Sequence, residues 1–291
     1  MKPILVTGAT GTTGSATLQY LKVRGANVRA MTRDKARAAD FEARGIPAVV
    51  ADFGDPVSLA KALEGVEKAF LAHPPSPEIP QHEKAFIDAA KKAGLKKIVK
   101  VSVIGASPEG ALHLARWHAE VEAYLKRSGI AYTILRPHSF LQNLMASVPT
   151  IQEQGAIYSD NGDAKIPLID ARDIGAVAAA ALTETGHDDK VYHLTGPAAV
   201  SFQEVAKAIG REIGKELQYI DVPDEAARQS MMGAGYPEWL ADDLVTLNQW
   251  GRQVGVQQPT ADVAIVLGRP AHSVLDFARD YAGAFMEEVA S

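Results

Sequence analysis

The feature that most constrains this chain stands at its start. Ile4-Leu5-Val6-Thr7-Gly8-Ala9-Thr10-Gly11-Thr12-Thr13-Gly14 is a short apolar run that passes through a glycine-spaced turn into a helical pattern. Glycines let a backbone approach a pyrophosphate closely, and the helix that follows offers free N–H groups and a favourable dipole to an anion. Gly8, Gly11 and Gly14 are spaced GxxGxxG, a departure from the GxGxxG of ordinary dinucleotide-binding units. A tight strand-to-helix turn with no ligand could use the same glycines. The motif nevertheless opens a series of strand–helix units, and that context assigns Gly8, Thr10, Gly11, Thr12, Thr13 and Gly14 to a dinucleotide.

Beyond the turn, short runs rich in Val, Ile, Leu and Ala predict strands over 3–7, 27–31, 48–51, 68–72, 97–101, 132–135 and 191–194. Helical patterns fall between them over 14–23, 58–63, 81–93 and 112–128, several ending at Gly25, Gly65, Gly94 or Gly129, where a C-cap needs positive φ. This alternation predicts an α/β fold, a Rossmann-type doubly wound parallel sheet. After Pro137 the rhythm changes to a helix over 140–152, a segment rich in Asp, Asn and Gly over 158–170, and a small-residue helix over 174–182. From Val200 the pattern is mostly helical. The division that follows is a cofactor-binding core over 1–136, completed by 156–196, and a smaller, mostly helical C-terminal substrate lobe built from 137–155 and 197–291.

Composition narrows the function classes. The net charge of −5 leaves no cationic excess for a phosphate backbone or an anionic bilayer, so neither nucleic acid nor membrane is an expected partner. The absence of cysteine rules out disulfides and thiolate catalysis and suits a reducing compartment, so the cytoplasm is the expected location. The opening apolar run is too short for a signal segment. The 8 histidines are dispersed without HExxH, so no metal is expected, and no serine sits in a GxSxG elbow.

The second strand ends in Met31-Thr32-Arg33-Asp34-Lys35. An acidic residue there would hold the ribose 2′-hydroxyl of NAD, whereas an arginine accepts the 2′-phosphate of NADP. Arg33 therefore points to NADP(H), with Asp34 as a rival ribose ligand. Later strand ends supply Asp52-Phe53, then Ala72-His73-Pro74, then Ser102, in the order in which a bound dinucleotide would pass them.

These residues, together with the run Tyr132-Thr133-Ile134-Leu135-Arg136-Pro137, resemble the atypical short-chain dehydrogenases called NmrA-like, over roughly residues 1–200. That family includes NADPH-dependent quinone, azo-dye and triphenylmethane-dye reductases, and also redox-sensing regulators. The resemblance implies an NADPH-dependent reductase of a small aromatic acceptor, with a non-catalytic NADP(H)-sensing protein as the alternative. It sets Pro137 beside the nicotinamide and Phe140 and Asn143 beside the substrate. A homodimer is compatible with the wider superfamily.

One departure is informative. The Tyr and Lys that serve as proton donor and its partner elsewhere in the superfamily are replaced by Leu114 and His118. Quinones, azo bonds and conjugated iminium ions are good hydride acceptors without that pair, and His118, Ser102 or His73 could supply a proton or a hydrogen bond. Met145, Met231, Met232, Tyr236, Trp239 and Trp250 read either as lobe core or as walls for a flat ligand, and Tyr236 and Trp250 are taken as substrate contacts.

Overall fold

The computed structural model describes residues 2–286. Strands and helices alternate through the first half: β1 (Ile4–Val6), α1 (Thr12–Val23), β2 (Val28–Thr32), α2 (Lys35–Ala43), β3 (Ala48–Val50), α3 (Pro56–Leu63), β4 (Lys68–Leu71), α4 (Ile79–Lys92), β5 (Lys97–Val101), α5 (His113–Arg127) and β6 (Ala131–Pro137). A 3-10 turn over Leu141–Ser147 leads into α6 (Val148–Gln154), β7 (Ala156–Ser159), α7 (Ala171–Thr183), β8 (Lys190–Leu194), α8 (Phe202–Ile213) and β9 (Gln218–Asp221). The chain then continues through α9 (Asp224–Gly233), α10 (Glu238–Val254), α11 (Asp262–Leu267), α12 (Val274–Asp280) and α13 (Ala282–Phe285). Each predicted core strand is present, its ends shifted by a residue or two.

Seven strands form one parallel sheet in the order β3-β2-β1-β4-β5-β6-β8. The winding reverses between β1 and β4, so the carboxyl ends of those strands open the crevice in which such sheets take their ligands. Both faces are covered, which is why the strands are apolar at consecutive positions. Ile4 and Val6 pack with Leu18, Ile174 and Val177 on the α1/α7 face, while Leu5 packs with Leu59, Phe86 and Val121 on the α3/α4/α5 face. Fully burying side chains of this size contributes roughly 1.5–3 kcal/mol each.

Helix α7 packs on the same face of the sheet as α1 and tightly against it, and its sequence reflects the lack of room. Ala178, Ala179, Ala180 and Ala181 are all fully buried. At Gly175 an added Cβ would lie 2.6 Å from the Cβ and the carbonyl carbon of Ala16 in α1.

The second half departs from expectation in one respect. Residues 156–170 were read as part of the segment completing the large sheet, but β7 pairs in parallel with β9 in a separate two-stranded sheet. Ile157, Ile166 and Leu168 pack with Leu141, Val205, Ile209, Phe277 and Phe285 in a third core, so the chain rejoins the large sheet at α7. Four-residue strands amid polar residues are too short to carry a clear period. The lobe is tied to the core by Asp243 of α10. Its carboxylate accepts from the backbone N–H groups of His113 and Leu114 at 3.0 Å each and lies 2.9 Å from His113 Nδ1, capping the start of α5.

The α1/α7 approach yields a stability prediction. Gly175→Val overpacks the seam and is expected to cost about 1–3 kcal/mol, seen as a fall of several degrees in the thermal midpoint by calorimetry. An unchanged midpoint would refute the tight seam.

Candidate cofactor and substrate site

The end of β1 is fixed to the end of β4 by one side chain. Thr7 Oγ1 donates to the Ala72 carbonyl at 3.0 Å and accepts from the Ala72 N–H at 2.9 Å. Gly8 then turns at φ +58°, and Gly11 N–H closes back on the Gly8 carbonyl at 2.9 Å. Gly14 has no space for a side chain, because a Cβ there would collide with the Gly8 carbonyl oxygen. Gly11 caps α1 without a side-chain hydrogen bond, and the first turn holds no acidic residue. The N–H groups at this helix start therefore have no side-chain cap. A cradle of bare backbone, closed to any Cβ and facing the crevice, fits a pyrophosphate.

From this turn a cavity of about 920 Å³ runs along the carboxyl ends of the strands. It brings together Gly8, Thr10, Gly11, Thr12, Thr13, Arg33, Asp52, Phe53, Ala72, His73, Pro74, Ser102, His118 and Phe140. Gly14 is buried beneath the turn and acts by its lack of bulk. Pro137 is the exception among the expected cofactor contacts. It is buried outside the cavity lining, with its carbonyl accepting from Ile104 N–H at 2.9 Å.

Asp34 is the N-cap of α2, its Oδ1 accepting from Ala36 N at 2.7 Å and Arg37 N at 3.4 Å. Arg33 and Arg37 are exposed and line the same end of the cavity as Asp34, bringing two guanidinium groups there. Asp52 is not a helix cap, a role taken by Asp55. It turns one carboxylate oxygen onto Gly54 N–H at 2.7 Å and leaves the other for a ligand.

Further along the cavity the lining includes three polar side chains, His73, Ser102 and His118. His73 Nδ1 lies 2.7 Å from the Pro74 carbonyl and Nε2 lies 3.0 Å from His82 Nδ1, and Phe53 meets its ring edge-on at 4.9 Å. Burial, with the nearby His82, Arg33 and Lys100, holds His73 below the usual histidine range despite the Pro74 bond. Ser102 Oγ donates to Glu122 Oε1 at 2.6 Å. Glu122 is also gripped by Arg136 through Nε at 2.9 Å and Nη2 at 2.6 Å. Burial alone would raise Glu122, but the bonds from Arg136 and Ser102 leave its carboxyl below the usual range.

His118 is almost wholly buried at the cavity wall, with Lys100 Nζ 3.0 Å from its Nδ1. Burial, reinforced by the Lys100 charge, pushes the imidazole well below its ordinary value of 6.5, so it is neutral at neutral pH.

A second cavity of about 390 Å³ adjoins the lobe, lined by Asn143, Leu144, Ile166, Leu168, Phe202 and Met231 among others, and Phe140 lines both cavities. Tyr236 and Trp250 line neither. They are 41% and 49% exposed, Tyr236 in the loop between α9 and α10 and Trp250 on the outer side of α10. Trp239 packs edge-on against Trp117 at 4.9 Å, joining α10 to α5.

Sequence reasoning missed Arg37, His82, Glu83 and Lys100. A signal existed for Lys100, a charge at the centre of a strand in a sheet covered on both faces. Among the described residues no group of three His, Asp or Glu could hold a metal, and no helix is long and apolar enough to cross a membrane.

Comparison with known proteins bears on the same residues. The NmrA-like family model matches residues 1–277. The NAD(P)H azoreductase of Xenophilus azovorans is 39% identical over 97% of this chain and 99% of its own length. Quinone oxidoreductase 2 of Escherichia coli (strain K12) is 33% identical over 94% and 96% of the respective chains. The solved structure of the Escherichia coli NADPH-dependent quinone oxidoreductase complexed with NADPH superimposes with a TM-score of 0.84 at 31% identity, covering 95% of this chain and 99% of that one. A match that runs from the glycine turn through almost the whole lobe shows that the chain belongs to the NmrA-like family.

Proposed function

We propose that the protein is an NADPH-dependent reductase that passes hydride to a small, electrophilic aromatic acceptor such as a quinone or an azo compound. The observation that carries this reading is a single cavity with a pyrophosphate cradle and two arginines at one end, and Ser102, His118 and Phe140 at the other. Relatives named as an azoreductase and a quinone oxidoreductase support it.

NADPH, when bound, supplies the hydride. The remaining tasks fall to this chain. The turn Gly8–Thr13 would hold the pyrophosphate, Arg33 and Arg37 the 2′-phosphate, and Asp52 the adenine amino group. Ser102 directs its hydroxyl hydrogen to Glu122 Oε1 in a hydrogen bond, so it presents lone pairs to the cavity and can accept from an amide N–H. His118, neutral and accepting at Nδ1, carries its proton on Nε2 and can donate to the oxygen or nitrogen of the acceptor. Leu114 and Phe140 provide apolar walls, and Asn143 belongs to the adjoining chamber. An acceptor that is already electrophilic asks mainly for positioning and exclusion of water. We assign the protein to the cytoplasm, where a chain without cysteine suits the reducing environment.

The direct test is binding of NADPH and NADH to purified protein, followed by loss of nicotinamide absorbance on adding menadione and then an azo dye. Tight NADPH binding with turnover is the expected result, whereas binding without turnover on any acceptor would replace the reductase with a cofactor sensor. Light scattering with and without cofactor reads the oligomeric state.

Two finer predictions follow from the geometry. Arg33→Ala with Arg37→Ala is expected to weaken NADPH binding roughly 10–100-fold per lost charge-assisted contact while leaving NADH within about twofold. Equal losses for both cofactors would remove the arginines from the 2′-phosphate. Because His118 is pushed well below 6.5, its Nε2–H is present throughout pH 6–8, so kcat with a quinone should be flat there. A roughly tenfold fall per pH unit above 6.5 would instead mark an ordinary imidazolium acid.

A further inference from the structure

Behind His118 lies a charged pair that the reading above leaves without a task. Lys100, in the middle of β5, is fully buried, and so is Glu83 of α4. An ammonium group has three protons to donate and no lone pair. Lys100 Nζ makes three contacts, an ion pair with Glu83 Oε2 at 2.6 Å and hydrogen bonds to the Val101 carbonyl at 2.9 Å and His118 Nδ1 at 3.0 Å. The third bond fixes the imidazole tautomer, since Nδ1 must accept and the ring proton must sit on Nε2. Among the described residues none accepts from Nε2, and His118 lines the cavity.

The neighbouring polar groups are otherwise engaged. The Ser102 proton is held by Glu122, and Glu122 by Arg136. His73 and His82 face each other at 3.0 Å. Burial raises the Glu83 carboxyl, and the Lys100 charge opposes that rise. A buried ion pair is weak evidence for stability, because apolar residues of similar size commonly do as well or better. One whose spare proton points at a cavity histidine calls for another explanation.

We propose that Lys100 is the proton source behind His118, a positioning residue held in place by Glu83. The proposal rests on the reductase reading and adds a division among its acceptors. A neutral quinone or azo compound needs one hydride and one proton to become a hydroquinone or a hydrazo compound. As NADPH delivers the hydride and becomes NADP⁺, His118 Nε2 gives its proton to the oxygen or nitrogen of the acceptor and Nδ1 takes one from Lys100. Lys100 is left as a neutral amine beside the Glu83 carboxylate; once product leaves, a solvent proton enters at His118 Nε2 from the cavity and the Nδ1 proton returns to Lys100. A cationic triarylmethane dye takes a hydride and becomes neutral with no proton. The relay therefore serves the neutral acceptors and is idle for the cationic dye.

The experiment compares wild type with Glu83→Gln/Lys100→Met, which removes both buried charges together and so leaves neither one unpaired. With NADPH binding and the thermal midpoint close to wild type, single-turnover hydride transfer to menadione or an azo dye is expected to fall on the order of 10²-fold, while transfer to a cationic triarylmethane dye stays within a few-fold. Equal losses for both acceptor types, or none for either, would overturn the relay. Two wild-type measurements keep it falsifiable if the variant fails to fold. Nitrogen-15 NMR should place the His118 proton on Nε2, and solvent deuterium should slow quinone reduction but not dye reduction. A proton on Nδ1, or the same isotope effect for both acceptors, would refute it. Failure of the reductase reading is distinguishable, since wild type would then turn over neither acceptor while the tautomer remained readable.

Discussion

The close approach of α1 to the end of β1 is the constraint on which the rest depends. Residue 14 cannot carry a side chain, since a Cβ would enter the Gly8 carbonyl, and this closeness aims the start of α1 at the crevice. Once α1 is drawn in, α7 must pack against it with almost no side-chain bulk, which accounts for Gly175 and the buried alanines that follow. The N-cap of α7, Asp170, accepts from Gln142 Nε2 at 2.9 Å, and Gln142 Oε1 accepts from Ala171 N–H at 2.8 Å. Gln142 lies two residues beyond Phe140. A chain of contacts thus runs from the cofactor turn through two helices to the aromatic ring at the junction of the two cavities.

Two of the buried charged groupings in this protein, Lys100 with Glu83 and Glu122 with Arg136, lie toward the carboxyl ends of β5 and β6, while others such as Asp170 and Asp173 sit at the start of α7. Each buried ion loses several kcal/mol of hydration, roughly, that its partner must offset. Here the offset comes with directionality. Glu122, locked by Arg136, draws the Ser102 proton away from the cavity, and Lys100, locked by Glu83, leaves the His118 proton facing it. Two adjacent side chains of the cavity wall are thereby fixed as one acceptor and one donor. Neither polarity could be held by an isolated hydroxyl or imidazole, both of which rotate or exchange tautomers freely.

How much of this was legible in the sequence depends on the length scale of each signal. The core strands and the glycine turn are local and periodic, and they read directly. The place of Arg33 at the cavity was legible too, because it follows from distance along the chain after a recognisable motif. The small sheet did not: β7 and β9 are four residues each and meet across an intervening 58 residues, so no local pattern announced their pairing. Tyr236 and Trp250 suggested pocket walls by residue type, but type does not say whether a loop or helix side chain faces in. Phe140 and Asn143, which the resemblance set beside the substrate, line the cavities, whereas Pro137, three residues before Phe140, is absorbed by the sheet. Lys100 lies in an apolar strand run and Glu83 in a helical one, and their meaning appears only when β5 and α4 bring them together.

The loss of the Tyr and Lys pair changes what chemistry the site can favour. A phenol next to an ammonium protonates a strongly basic alkoxide as it forms from a ketone. At the corresponding positions this cavity has an apolar wall, Leu114, and a buried neutral imidazole, which is a much weaker acid. Such a donor gives little help where the reduced product is strongly basic at the moment of hydride transfer. It is adequate where the product anion is already stabilised by an aromatic system, as in a hydroquinone. Asp243 reinforces that bias, because by capping α5 from the lobe it fixes the helix that carries both Leu114 and His118. The wall is therefore held in place by the lobe rather than left to adjust to each ligand.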